Sequence, residues 1–181
     1  MIVNHNKYVH QLINIAAKCS QESNFDGAIN CYQKILGLQP HRADMYLKLG
    51  DTFKKQQQLD RAISAYQQSI DLQPEQPPWV YQALGNMLIE QQKYDRAISF
   101  YQDLIELHPC CASEAYIKIG DIYHQQDKFF IAKSFWKKAR WERVLLNVNR
   151  VIDCIRQYFA TQGKLRSIDI LDNGCEHTGQ Q

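Results

Sequence analysis

Apolar residues recur at helical spacing along most of the chain. Tyr46, Leu49 and Phe53, and then Ala62, Tyr66 and Ile70, stand three or four residues apart, which sets each group on one face of a helix. The pattern also repeats as a block. Ala28-Ile29, Ala62-Ile63 and Ala97-Ile98 each precede a tyrosine by four residues, at Tyr32, Tyr66 and Tyr101, and Ala132 stands in the same relation to Trp136. These alanines are 34, 35 and 35 residues apart, the period of a two-helix unit. Three blocks close on a proline, Pro40, Pro74 and Pro109. Matching segments lie upstream at Tyr46 to Gly50, Tyr81 to Gly85 and Tyr116 to Gly120. The spacing predicts four helix pairs over residues 9–42, 43–77, 78–112 and 113–140.

Several positions in the block have a local physical reason. Gly50, Gly85 and Gly120 fall inside predicted helices, where glycine costs roughly 1 kcal/mol against alanine. A missing side chain there lets a partner helix approach closely, with Ala62 and its equivalents on the facing side, so Gly85 is expected opposite Ala97. Asp26, Asp60 and Asp95 open the second helix of their units, where an acceptor can cap free N–H groups. Each proline follows the end of that helix, which it cannot continue. The ends depart from the pattern. The first copy has Ala16 and Cys19 where the glycine and the aromatic belong, and the fourth has Phe130 for the aspartate and no closing proline. From Phe129 to Thr161 there is neither glycine nor proline, and apolar residues recur at Val144, Leu145, Val148, Val151, Ile152, Ile155 and Phe159. This predicts a capping helix over 141–162, bent near Trp141, whose stripe covers the core of the fourth unit as solenoid ends require. The same helix is a candidate for self-association.

The aromatic, Leu-Gly, Ala, aromatic, Pro order resembles the tetratricopeptide repeat over residues 8 to 140. The resemblance implies an all-α, right-handed helix-turn-helix solenoid whose first helices line a concave groove for an extended peptide or a partner helix. Carried over position by position, the groove residues are His10, Asn14 and Ala17; Asp44, Lys48, Asp51 and Lys55; Trp79, Gln82, Asn86 and Glu90; and Glu114, Lys118, Asp121 and Gln125. Stacking sets Asp51, Asn86 and Asp121 in one row, with Lys48 and Lys118 a turn earlier. Such oxygens can accept the N–H groups of a peptide backbone, and Asn86 can also donate. The alternative is that Lys48–Asp51 and Lys118–Asp121 are i,i+3 surface pairs. The row is mainly acidic, unlike the basic, asparagine-containing clamp with which some members of the family grip a C-terminal carboxylate, so that ligand is disfavoured. Trp79, after Pro77-Pro78, is either an aromatic anchor at the groove mouth or a plug over Tyr46 or Leu72.

Composition narrows the function classes. At 45% hydrophobic and 22% charged residues the chain is neither a disordered tail nor, with a mean hydropathy of -0.47, a membrane bundle. The N-terminus lacks the basic start and apolar run of a signal peptide. A net charge of +2 makes no overall case for nucleic acid or membrane. The charge is unevenly placed, at -2 for residues 1–132 and +7 for 133–166, and the basic residues spread around the last helix as a solvated face would. Six cysteines without a CxxC pair point to a reducing cytoplasm. The two Cys/His clusters, at 108–111 and 175–177, lack zinc spacing, so no metal or cofactor is expected. No phosphate loop, HExxH or GxSxG occurs, and His10, His41, His108 and His124 are scattered, which argues against an enzyme.

Residues 167–172 read as a short strand before Asn173-Gly174-Cys175-Glu176-His177-Thr178-Gly179. This resembles the first strand and glycine loop of class I S-adenosylmethionine-dependent methyltransferases, with Glu176 replacing one family glycine and no further strands following. The expectation from the whole chain is a protein–protein interaction scaffold. The alternative is the N-terminal recruiting module of a larger transferase, with 163–181 the start of a truncated domain.

Overall fold

The structure, a computed structural model, describes residues 2–161, so the methyltransferase-like segment at 167–179 lies outside the described residues. The described residues form helices with no strand: α1 (Ile2–Gln21), α2 (Phe25–Leu38), α3 (Ala43–Lys55), α4 (Leu59–Leu72), α5 (Pro78–Glu90), α6 (Tyr94–Leu107), a short 3-10 turn (Pro109–Cys111), α7 (Ala112–Gln125) and α8 (Phe129–Thr161). They pack as α1 with α2, α3 with α4, α5 with α6 and α7 with α8, and each second helix also meets the first helix of the next pair. This is the helix-turn-helix solenoid that the period predicts. One apolar core runs through it from Val9 to Ile122.

The prolines act as expected. α2, α4 and α6 end at Leu38, Leu72 and Leu107, each two residues before Pro40, Pro74 and Pro109. The turn inside each pair uses a left-handed residue, Ser23, Gln57, Gln92 or Asp127, with φ of 59, 59, 57 and 59°. The next amide then closes back onto the helix, as Lys93 N does on Leu88 O at 2.8 Å.

The space beside the glycines is filled differently from the sequence expectation. A Cβ on Gly85 would lie 2.6 Å from the Tyr101 ring, and one on Gly50 would lie 2.8 Å from Tyr66. On Gly120 it would lie 2.5 Å from Trp136. The three atoms nearest each site all belong to that one side chain, so it is the aromatic four residues after the alanine, rather than the alanine, that needs the glycine. The aspartates also differ. Asp26, Asp60 and Asp95 sit in the first turn, and the N-cap side-chain bond of α2 is made by Asn24, whose Oδ1 accepts from Gly27 N at 3.0 Å. Asp26 instead accepts from Gln56 Nε2 at 2.9 Å, and Asp60 from Gln91 Nε2 at 2.8 Å, each bridging to the next unit. An inward cap is not open to a residue already inside the helix, whereas the turn of the next pair lies within reach.

α8 is one uninterrupted helix and does not divide near Trp141. Its first half packs on α7 through the buried Ala132 and Ala139 and through Phe135, which stacks on Tyr123 at 5.5 Å. The stripe expected to cover the fourth unit is exposed: Val144, Leu145, Val148, Val151, Ile152 and Ile155 are 38 to 58% accessible. The helix runs past the end of α7, which leaves that stripe without a surface of this chain among the described residues.

Candidate functional site

The first helices α3, α5 and α7 set the proposed groove residues side by side, and the repeat fixes their register. Asp51, Asn86 and Asp121 each follow the signature glycine by one residue, so each lies over the aromatic that fills the glycine's space. Tyr66 donates its hydroxyl to Asp51 Oδ1 at 2.5 Å, Tyr101 to Asn86 Oδ1 at 2.8 Å, and Trp136 Nε1–H to Asp121 Oδ1 at 3.1 Å. Burial, then the bond to Asp51 and its charge, pushes the Tyr66 hydroxyl far above its ordinary range. Burial, then the charges of Glu114 and Asp121, does the same to Tyr101. Both therefore stay protonated donors. The row is held from below, and the parts left for a ligand are the amide nitrogen of Asn86 and the second oxygens of the carboxylates. Among the described residues neither Lys48–Asp51 nor Lys118–Asp121 is an ion pair, so the i,i+3 alternative is not formed.

Five of the sequence-proposed residues meet around one open cavity of ≈ 460 Å³ between α5 and α7: Asn86, Glu90, Lys118, Asp121 and Gln125. Its apolar wall is Ala83, Met87, Ile89 and Ile122. Lys54 reaches it from α3 in the place expected for Lys55. Lys55 is four residues from Asp51, but three residues along the helix lies on the same face equally well; that spacing was the available signal for Lys54.

The other proposed residues lie around this centre or are otherwise engaged. Gln82 Nε2 donates to Glu114 Oε2 at 3.1 Å and so ties α5 to α7. Asp44 is gripped by Arg42, which donates from Nε at 2.9 Å and from Nη2 at 2.5 Å. The Arg42 hydrogen bonds hold its carboxyl below the usual carboxylate range. Lys48 and Lys55 are exposed on α3, Asn14 is exposed on α1, and none of the three lines the cavity. Trp79 is 42% exposed and meets the Tyr66 ring edge-on at 6.0 Å, which joins unit three to unit two. No group of three or more Asp, Glu, His or Cys among the described residues could hold a metal. No described helix is long and apolar enough to cross a membrane.

Two family models, each described as a tetratricopeptide repeat, match residues 21–77 and 80–109. The models thus recognise tetratricopeptide repeats in these segments. The first match runs from the second helix of repeat one through repeat two, and the second covers repeat three. Among solved structures the chain is similar to one titled "Crystal structure of MamA protein", at 23% identity and a TM-score of 0.66, covering 88% of this chain and 85% of that one. A second, titled "Crystal structure of MamA", is 24% identical with a TM-score of 0.61, covering 83% and 86%. MamA 41-end from Desulfovibrio magneticus RS-1 is 16% identical with a TM-score of 0.60, covering 75% of each chain. These likenesses establish the tetratricopeptide-repeat solenoid as the fold. No curated protein matches the sequence.

Proposed function

We propose that this chain is a non-enzymatic protein–protein interaction scaffold that takes a peptide or helix of a partner into its concave face. The cavity between α5 and α7 carries this reading. It offers ammonium donors from Lys54 and Lys118, carboxylate acceptors from Glu90 and Asp121, and amides from Asn86 and Gln125, all beside an apolar wall. A backbone needs donors and acceptors together, and side chains of a partner need apolar pockets; this surface supplies both. Its mixed charge fits an internal peptide segment better than a free C-terminal carboxylate. Trp79 at the mouth and the Gln82–Glu114 bridge extend the same face. Cys19, Cys31, Cys110 and Cys111 are free thiols, which suits a reducing compartment, and we place the protein in the cytoplasm.

The test uses a substitution that keeps the packing. Asn86→Asp retains the acceptor for Tyr101 while removing the amide donors, and Lys118→Glu reverses one donor on the rim. Immobilised wild-type and double-variant protein are compared for selection of peptides from a displayed random-peptide library. The expected result is a peptide family enriched by the wild type whose affinity falls at least about tenfold in the double variant, with the melting temperature held within a few degrees. Equal affinity of the two proteins for the enriched peptides would overturn the assignment of this face.

A further inference from the structure

The second half of α8 carries a seam that the repeats do not use. From Trp141 onward the exposed apolar residues follow alternating four- and three-residue steps: Trp141, Leu145, Val148, Ile152 and Ile155, and the sequence continues the pattern to Phe159. Their exposures, from Trp141 to Ile155, are 60, 52, 48, 38 and 44%. This is the a/d pattern of a coiled coil over about three heptads, roughly 30 Å of helix at 1.5 Å per residue. Two further exposed valines, Val144 and Val151, occupy the flanking g positions, and Glu142, Asn149 and Arg156 occupy the e positions. Only Leu146 is apolar and exposed on the opposite side among the described residues.

The charge arrangement selects both the occupant and the direction. In an antiparallel pair of identical helices, e faces e and g faces g. If the two-fold axis passes near position 150, every a residue meets a d residue of the other copy: Leu145 with Ile155, and Val148 with Ile152. Glu142 then faces Arg156 on one edge, twice by symmetry, with Asn149 meeting its own copy at the axis, and Val151 meets Val151 on the other edge. A parallel pair would set Val144 against Asn149 and Val151 against Arg156. It would also bring the basic stretch of one copy (Lys133, Lys137, Lys138, Arg140 and Arg143) alongside that of the other. Within its own chain Arg156 also lies 3.7 Å from Asp153, a partner the antiparallel pair leaves in place.

We propose that the second half of α8 is a homodimerisation element, in which two copies of this chain pair antiparallel along Trp141, Leu145, Val148, Ile152 and Ile155 with Glu142 facing Arg156. The pairing projects the two solenoids to opposite ends of the coil and leaves both concave faces open. It does not depend on the groove reading.

The full chain is measured by sedimentation equilibrium over micromolar concentrations, with circular dichroism to monitor folding. The wild type is expected at twice the 21.2 kDa chain mass. Val148→Asp with Ile152→Asp is expected to give a monomer of nearly unchanged melting temperature, since neither residue belongs to the repeat core. Orientation is read from a charge exchange. Glu142→Arg alone and Arg156→Glu alone should each weaken the dimer by about tenfold, and the two together should restore it to within a few-fold of wild type. In a parallel pair the two sites are two heptads apart and the double exchange cannot restore it. A wild type that is monomeric throughout, whether its stripe is covered by residues 162–181 or by another protein, overturns the proposal. A dimer unaffected by the two aspartates, or failure of the double exchange to restore it, does the same.

Discussion

Repeats two and three and repeat four use the same lock with different results. In each, the second helix places an aromatic ring in the space of a glycine on the first helix, and that ring hydrogen-bonds the residue after the glycine. Tyr66 and Tyr101 are 0 and 1% exposed, whereas Trp136 is 38% exposed. The difference comes from the neighbour on the C-terminal side. Trp79 of repeat three leans on Tyr66, while beside Trp136 the surface opens into a cavity of ≈ 210 Å³ lined by Ile117, Ala139, Arg140 and Arg143. The aromatic ring of the lock is therefore fully buried only where another repeat covers it, so the stability it confers belongs to the neighbour as much as to its own helix pair.

The largest expected effect breaks the lock in one repeat and spares it in the other. Gly85→Val drives methyl groups into a ring that cannot move, and is expected to cost about 3 kcal/mol. Gly120→Val meets a ring free to swing toward solvent and is expected to cost less than half as much. Chemical denaturation of the two variants measures the difference directly, and equal losses would mean that Trp136 is as confined as Tyr101.

Alkali sharpens the same comparison. The hydroxyls of Tyr66 and Tyr101 are raised in the folded protein, so their contribution is intact below the ordinary tyrosine range near 10 and is lost as pH rises above it. Above that range stability is expected to fall by about 1.4 kcal/mol per pH unit for each of these two tyrosines. Trp136 has no proton to lose there. Tyr66→Phe with Tyr101→Phe should reduce the slope to what the likewise raised Tyr81 contributes, while lowering stability at neutral pH by about 1 kcal/mol per lost hydrogen bond. Denaturant midpoints between about pH 9 and roughly 11.5, read with tyrosinate absorbance, follow both changes.

The smallest effect is in the turns. Gln92 and Asp127 both adopt positive φ, at 57 and 59°. Glycine removes the left-handed penalty, so Gln92→Gly is expected to stabilise by about 0.5 kcal/mol, and Asp127→Gly by less because aspartate tolerates that conformation better than glutamine. Melting temperatures of the pair resolve the order.

Much of this architecture is legible in the sequence because a 34- to 35-residue period repeats small, aromatic and proline residues in register. Periodicity states which residues share a helix face. It does not state which atom of the facing helix fills a given gap, so the spacing pairs Gly85 with an alanine when the space belongs to Tyr101. The candidate site is legible to the same depth. The tetratricopeptide resemblance implies Asn86, Glu90, Lys118, Asp121 and Gln125 as groove residues, and the structure sets them around one cavity. That tyrosines and a tryptophan hold the row from below is hidden, because those bonds join residues 15 apart on different helices. The apolar residues of α8 do form a stripe, but the stripe is no cover. A hydrophobic pattern requires a partner surface without naming it, and here the helix outruns the body that would have supplied one.

The bridges from Asp26 to Gln56 and from Asp60 to Gln91 join unit one to unit two and unit two to unit three with nearly the same offset, 30 and 31 residues. Such joints make the solenoid tolerant of losing a whole unit. Excision of residues 60–94 would fuse Leu59 directly to Asp95, so that Asp95 inherits the place of Asp60 at the head of the second helix. Tyr101 would then lie beside Gly50 as Tyr66 does now, and the Asp26–Gln56 joint upstream would be untouched. A shortened chain of this kind retains a matching seam at the cut. The length of the molecule can therefore change in whole periods, by duplication or deletion in the gene, with the glycine, the aromatic and the aspartate of each unit kept in register.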